Sequence, residues 1–441
     1  MSGAAPPAAR DPQGSEVTTR ATAAASRRRL LMIVRDYPPA NTPATHRALG
    51  FARYLPEFGW DTSVVTVRSG FHSSSDSGLL RQMPEERSVY RAFGFDSKDV
   101  FSVFGRYPRL LALPDRSVSW LPAGVVQALR AVRREGIDVL LSTGPPLTAH
   151  WIAHIVQRKT GLPWVADIRD LWDGPPRHAR VSHSIENWLA SRLLRGCDRV
   201  TVVTEEIAEG LTRSYGVDVA HKVHILPNGF DEDAFARLEP CNSSSDRFTI
   251  AHVGYASWTY RNPRPFFEAL RACLDRGALP KDTLVSFIGA HTGTLLSLSH
   301  AFGLEDVIRL RERMPYVEAL REMCKASALL LLQGGEFRHA VPAKTYEYLR
   351  SGRPIVALAT PDGESARLLR QFTGVFLAVP DRPAEVAECL EAAHRAWRDA
   401  QVFERSTRQL APYTRRSVAA ELAEILDRTR APATGDRRGP A

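Results

Sequence analysis

At 441 residues, 44% hydrophobic and 24% charged, the chain is long enough for two cores of roughly 150 to 200 residues each, and its globular composition excludes an intrinsically disordered protein. Lys and Arg outnumber Asp and Glu by 58 to 49, a formal charge of +9, which suits an acidic ligand or an anionic membrane face. Part of that excess sits in Arg10, Arg20, Arg27, Arg28 and Arg29 and in Arg428, Arg430, Arg437 and Arg438, and no Lys/Arg cluster interleaved with stacking aromatics is present to bind nucleic acid.

Residues 1–28, rich in Ala, Pro, Ser and Thr, are expected to form a disordered tail, and so are residues 429–441. Arg27 to Arg29 precede an apolar run that ends at Arg35, too short for an export signal. The longest apolar runs, 30–34 and 328–332, fall far below the ~18 residues of a membrane span. Cys197, Cys241, Cys273, Cys324 and Cys389 are odd in number and contain no CxxC pair. That pattern argues against a zinc site and a disulfide framework and fits a reducing cytoplasm.

From residue 29 the pattern alternates. β-rich runs at 30–34, 62–67, 139–142, 164–167, 200–204 and 223–226 are separated by helix-like stretches, and a polar segment ends at Asp246. Runs at 248–253, 284–288, 307–310, 328–332 and 354–358 then repeat the rhythm. Such alternation predicts two α/β domains with parallel sheets, 29–240 and 241–411, whose ligands bind beyond the carboxyl ends of the strands. A helical pattern within 412–428 is expected to cross back onto the first domain. The irregular stretch 70–120, with Phe95, Phe101, Phe104, Arg106, Tyr107 and Arg109, is either an insertion packing into the first core or a loop touching acceptor or membrane.

The segment most suggestive of chemistry runs from Val341 to Pro354. Proline opens a helix and Gly352-Arg353-Pro354 closes it. A helix start offers unpaired N–H groups and a positive dipole end to a phosphate, and Lys344 adds a charge. Glu347, a turn further on, is placed to accept hydrogen bonds from the vicinal hydroxyls of a ribose; the plain alternative is an amphipathic helix with Glu347 in solvent. Asp167-Ile168-Arg169-Asp170 ends a strand of the first half, where charges are costly to bury and are either paired or functional. One reading is a structural Asp–Arg pair tying the loop to the first helix. The other gives Asp167 or Asp170 an acceptor-binding or proton-accepting role. His46 and His150 are further candidates to face a cleft, with His178 and His183 behind them.

Taken in order, several segments resemble the GT-B fold glycosyltransferases of family four. They are Tyr37-Pro38-Pro39, the helix-like 47–60, Ser142-Thr143-Gly144-Pro145-Pro146, 166–172, Leu226-Pro227-Asn228-Gly229-Phe230-Asp231 and the 341–354 segment. The resemblance spans about 29–428 and implies two Rossmann-like domains facing across a cleft. The first would bind an acceptor and the second a nucleotide-diphosphate sugar, with transfer retaining anomeric configuration. In such enzymes a Glu-x(7)-Glu motif binds sugar and ribose. Glu347 matches its second glutamate, while His339 stands where the first is expected, with Glu336 nearby. The resemblance also places Arg261, after Gly254, on the diphosphate, and assigns the segment containing Tyr316 to base contacts. Asp167, Arg169, Asp170 and His150 would carry the catalytic side.

No cofactor and no metal is implied, because arginine, lysine and N–H groups can stabilise a departing diphosphate. A glycan or lipid-linked acceptor at the inner face of an anionic membrane fits the charge. Two rivals remain open, a nucleotide-sugar epimerase of the same fold and a non-catalytic sugar-nucleotide binding subunit.

Overall fold

The computed structural model describes residues 27–68, 75–84, 88–101, 113–171, 180–215, 217–238, 246–256, 261–290, 292–403 and 405–430. Most of both tails, Cys241, His178, Phe104, Arg106, Tyr107 and Arg109 therefore lie outside the described residues, as do the side chains of Phe101, His183 and Glu336.

Thirteen strands are formed among the described residues. β1 (Arg28–Val34), β2 (Trp60–Val67), β3 (Val89–Ala92), β4 (Val139–Gly144), β5 (Trp164–Ile168), β6 (Arg199–Val202) and β7 (Val223–Ile225) build the first sheet. β8 (Thr249–Val253), β9 (Leu284–Ile288), β10 (Ile308–Arg311), β11 (Ala328–Gln333), β12 (Ile355–Ala359) and β13 (Val375–Ala378) build the second. Every pairing is parallel, in the orders β3-β2-β1-β4-β5-β6-β7 and β10-β9-β8-β11-β12-β13. Each chain of strands runs outward from its first strand and then returns to the other side, so the direction of winding reverses between β1 and β4 and between β8 and β11. Loops diverge at such a switch point and leave a crevice for ligand.

Central strands are apolar on both faces because helices cover both. Leu30 to Val34 and Ala328 to Leu332 are essentially inaccessible to solvent. β3 and β13 are edge strands of mostly half-buried residues; β3, with Tyr90 and Arg91, does not stand out as an apolar run in the sequence.

The helix Arg415–Arg430 lies on the first domain, not the second. Its Val418, Leu422, Ile425 and Leu426 join one core cluster with Phe51, Trp60 and Val139. Asp427 near its end accepts the Trp60 Nε1–H at 3.0 Å and pairs with Arg28.

Among the described residues no helix is long and apolar enough to cross a membrane. Cys197, Cys273 and Cys389 are free thiols. Cys324 is disulfide-bonded, and this corrects the expectation of a chain without a disulfide.

Candidate functional site

A cleft of about 550 Å³ lies where the two switch points face each other. Its walls come from beyond the carboxyl ends of strands: Asp36, Asn41 and His46 after β1, Pro145 after β4, Arg169 and Asp170 after β5, Gly254, Tyr255 and Arg261 after β8, Gly289 after β9, Arg313 after β10, and Gln333, Phe337, Lys344 and Glu347 from the end of β11 onward. Contacts across the cleft fix the mutual placement of the domains. Thr204 Oγ1 donates to the His339 carbonyl at 2.6 Å, Arg313 Nη1 to the Asn41 carbonyl at 3.0 Å, and the Tyr316 N–H to Asp76 Oδ2 at 3.1 Å.

On the second domain, the helix Ala343–Ser351 starts at Pro342 with no side chain capping it, while the Thr345 N–H is taken by the Pro342 carbonyl at 2.9 Å. Lys344 stands in that first turn. Its ammonium donates to the Val253 carbonyl at 2.8 Å and to His252 Nε2 at 3.2 Å. His252 in turn is fixed through Nδ1 on the Leu330 carbonyl at 2.9 Å, and burial, with the Lys344 charge, keeps it neutral by pushing its pKa far down.

Lys344 itself is held well below its ordinary pKa, first by burial and then by the neighbouring Arg261, with Glu347 partly offsetting. Burial also lowers Arg261, and Asp170 on the facing domain opposes that shift. Lys344 and Arg261 thus stand near each other beneath a helix start, where a positive dipole end and basic side chains coincide. Gly254 at φ 101° belongs to the same wall, and a Cβ there would come 3.7 Å from Lys344 Nζ.

Glu347 is 6% exposed and still lines the cleft. Its Oε1 accepts the Tyr316 hydroxyl at 2.8 Å. Burial raises its pKa, opposed chiefly by Arg415. The Tyr316 hydroxyl is thus bound to a carboxylate, and its ring lies 4.3 Å from that of His46. Tyr316 also lines the cleft, as do Arg313 and Met314 before it.

On the first domain, Arg169 and Asp170 line the cleft, and Arg169 is steadied by Thr143 Oγ1 at 3.2 Å and the Pro145 carbonyl at 2.8 Å. His46 also lines it, its Nε2–H donating to Asn41 Oδ1 at 3.0 Å. Burial, with the Arg415 charge, lowers its pKa to about 3.

Asp167 is another matter. It is fully buried and accepts Arg47 Nε and Nη2 at 3.0 and 2.8 Å, Thr143 Oγ1 at 2.7 Å and Thr201 Oγ1 at 2.8 Å. Burial alone would raise its pKa; the Arg47 charge and these bonds overcome that and hold it low. A carboxylate with its lone pairs so occupied and no path to the cleft is not a proton acceptor, so the structural pairing with the first helix is the correct reading.

His150 is likewise corrected. It is fully buried behind β4 with Nδ1 on Ser142 Oγ at 2.7 Å, and burial takes its pKa down to about 3. It is a neutral core histidine, not a base.

His339 offers its carbonyl to Thr204 and tilts its ring against Phe337, whereas the cleft lining takes in Phe337 and Ala340. Glu336 lies in the turn Gly335–Phe337. Two cleft residues escaped the sequence reading. Gln333, 3% exposed, pins that turn by donating to the carbonyls of Phe337 and Ala340 at 2.7 and 3.2 Å. Its amide oxygen has no partner among the described residues. Arg415, from the crossing helix, reaches the same wall. A polar residue closing the apolar run of β11 was the available signal for Gln333; nothing local marked Arg415.

Comparison with known proteins agrees with this geometry. Residues 44–229 match the model of the glycosyl transferase 4-like domain. No curated protein matches the chain in sequence. A sucrose-phosphate synthase from Thermosynechococcus elongatus superposes with a TM-score of 0.64 at 14% identity, over 92% of this chain and 100% of that one. A glycosyltransferase from Rickettsia africae gives 0.63 at 12% identity, over 92% and 100%. The UDP-GlcNAc 2-epimerase of Methanocaldococcus jannaschii, solved with UDP-GlcNAc and UDP, gives 0.52 at 12% identity, over 91% and 99%. At such identities the likeness establishes the fold, which is GT-B.

Proposed function

We propose that the chain, whose residues 44–229 match the model of the glycosyl transferase 4-like domain within a GT-B fold, transfers a sugar from a nucleoside-diphosphate donor to an acceptor hydroxyl. The observation that carries this reading is the pairing of Arg261 with Lys344 below the uncapped start of Ala343–Ser351, with Glu347 a turn further along. The diphosphate lies on the two cations and the helix N–H groups, and the ribose hydroxyls donate to Glu347. As the bond from the anomeric carbon to the diphosphate breaks, charge grows on the β-phosphate. Preorganised cations and N–H groups stabilise that charge in place of a divalent ion.

The acceptor enters against the first domain, where Asp170 is the carboxylate positioned to take its proton and Arg169 flanks it. The resemblance to family-four enzymes supports retention of configuration. A glycan on a lipid carrier at an anionic membrane face is the acceptor class that the basic surface favours. The solved epimerase, which holds UDP-GlcNAc and UDP in the same fold, supports a nucleotide sugar as ligand and supplies the competing reading.

The two are separated by incubating the protein with UDP-, GDP- and dTDP-sugars, with and without bacterial lipid-linked glycans. We expect free nucleoside diphosphate and glycosylated lipid only when both substrates are present. Conversion of the nucleotide sugar to its epimer without acceptor would replace the transferase reading.

A further inference from the structure

Glu347 is held in place from outside its own domain. The first residue of the crossing helix, Arg415, is 8% exposed and lies over the Tyr316 ring at 5.4 Å. Its Nη2 donates to the Tyr316 hydroxyl at 3.3 Å and stands 3.7 Å from Glu347 Oε1. The Tyr316 hydroxyl passes its own proton to that same Oε1 at 2.8 Å. Both interactions therefore fall on one carboxylate oxygen, Oε1.

The other end of the guanidinium faces the segment that joins the two domains. Arg415 Nη1 lies 3.7 Å from Asp231 Oδ2. Asp231, 3% exposed, also accepts the Tyr54 hydroxyl at 2.7 Å and Arg53 Nη1 at 3.1 Å, both from the first helix of the first domain. The Arg415 backbone N–H is bound to the Phe230 carbonyl at 2.8 Å, and its side chain packs on Gly50 of that first helix. Arg415 therefore bridges a carboxylate of the donor wall and a carboxylate of the interdomain segment.

We propose that Arg415 is a positioning residue for the donor site: with Tyr316 it clamps Oε1 of Glu347, fixes the carboxylate plane, and leaves Oε2 directed at the cleft to accept the ribose hydroxyls. The arrangement ties ribose recognition to the seating of the crossing helix on the first domain. A charge on that helix thus sets the geometry of a site on the other domain. This inference rests on the reading of Glu347 as the ribose acceptor, and its test separates the two.

The test is calorimetric titration of UDP, GDP and ADP, and then of the 2′,3′-dideoxy form of whichever binds most tightly, into wild type, Arg415→Gln and Tyr316→Phe. Wild type should prefer the full ribose by about 10-fold or more, the cost of one lost hydrogen bond to a charged group. In Arg415→Gln that preference should shrink to about threefold or less while the dideoxy nucleotide binds nearly as in wild type, because only the ribose contact depends on the clamp. Arg415→Lys, which restores the charge, should recover part of the preference. An undiminished preference in Arg415→Gln overturns the proposal. If wild type itself does not distinguish the two nucleotides, the ribose reading of Glu347 fails first and the inference fails with it. Should Arg415→Gln not fold, Tyr316→Phe decides the matter. It removes one hydroxyl of the clamp, so a reduced ribose preference supports the proposal and a wild-type preference overturns it.

Discussion

Replacing Lys344 by Met should lower kcat/KM for the nucleotide sugar by ~10²- to 10³-fold, the range for removing one preorganised donor from developing transition-state charge. The ammonium is already committed in the ground state to fixed partners, the Val253 carbonyl at 2.8 Å and His252 Nε2 at 3.2 Å. It need not reorganise when charge moves onto the leaving diphosphate. Lys344 is itself a buried charge disfavoured by burial and by Arg261, so folding stability should be kept while activity collapses, as expected where a site is built for a ligand and not for the empty protein. Initial rates over a range of donor concentrations, with a thermal melt beside them, check both halves. A folded Lys344→Met protein within about threefold of wild type would remove Lys344 from the diphosphate site.

Asp167→Asn should cost ~3 to 5 kcal/mol of folding stability, because it leaves the Arg47 guanidinium buried without its counter-charge. Arg47 is 7% exposed and Asp167 not at all. The replacement amide would turn a donor toward groups that all donate, Arg47, Thr143 and Thr201. The measurement is urea unfolding, read together with specific activity per folded molecule at a temperature where the variant still folds. A structural role predicts low stability with activity close to wild type in the folded fraction. A catalytic role predicts a stable, inactive protein, and that result would reverse the assignment.

The pair also sets an acid limit. A carboxyl held below its ordinary value adds stability that is fully present above the unfolded-chain value of ~3.9 and is lost as the pH falls through the lower folded value. The lowered pKa of Asp167 therefore protects the fold throughout the neutral range.

These two residues also show where sequence reading succeeds and where it stops. Lys344 and Glu347 share one short helix, and the proline before it with the Gly-x-Pro after it announces a helix start beyond a strand, so their placement on the cleft wall follows from local rules. The strands of both sheets are equally legible where burial is two-sided, as in β1 and β11. They are lost at the edges, where β3 carries Tyr90 and Arg91 half-exposed beside Val89.

Asp167 was open to two readings because its partner is 120 residues away. Only the packing of the first helix over β5 shows that its lone pairs are occupied. His150 likewise reads as a base until the Ser142 contact and its complete burial are known. Arg415 had no signal at all. Its meaning depends on a helix that leaves the second domain and seats on the first, and no periodicity in 415–430 says which carboxylates its first residue will meet.

The central claim, a nucleoside-diphosphate site on Arg261, Lys344 and Glu347, is tested most directly by thermal unfolding with a panel of nucleoside diphosphates and their sugars in the presence of EDTA. A ligand at a hundred times its dissociation constant adds ~2.7 kcal/mol to the folded state. One base, as the diphosphate and as its sugar, should raise the melting temperature without a divalent ion, and the Lys344→Met protein should show no such rise. Equal melting temperatures across the whole panel, or the same rise in Lys344→Met as in wild type, would contradict the claim.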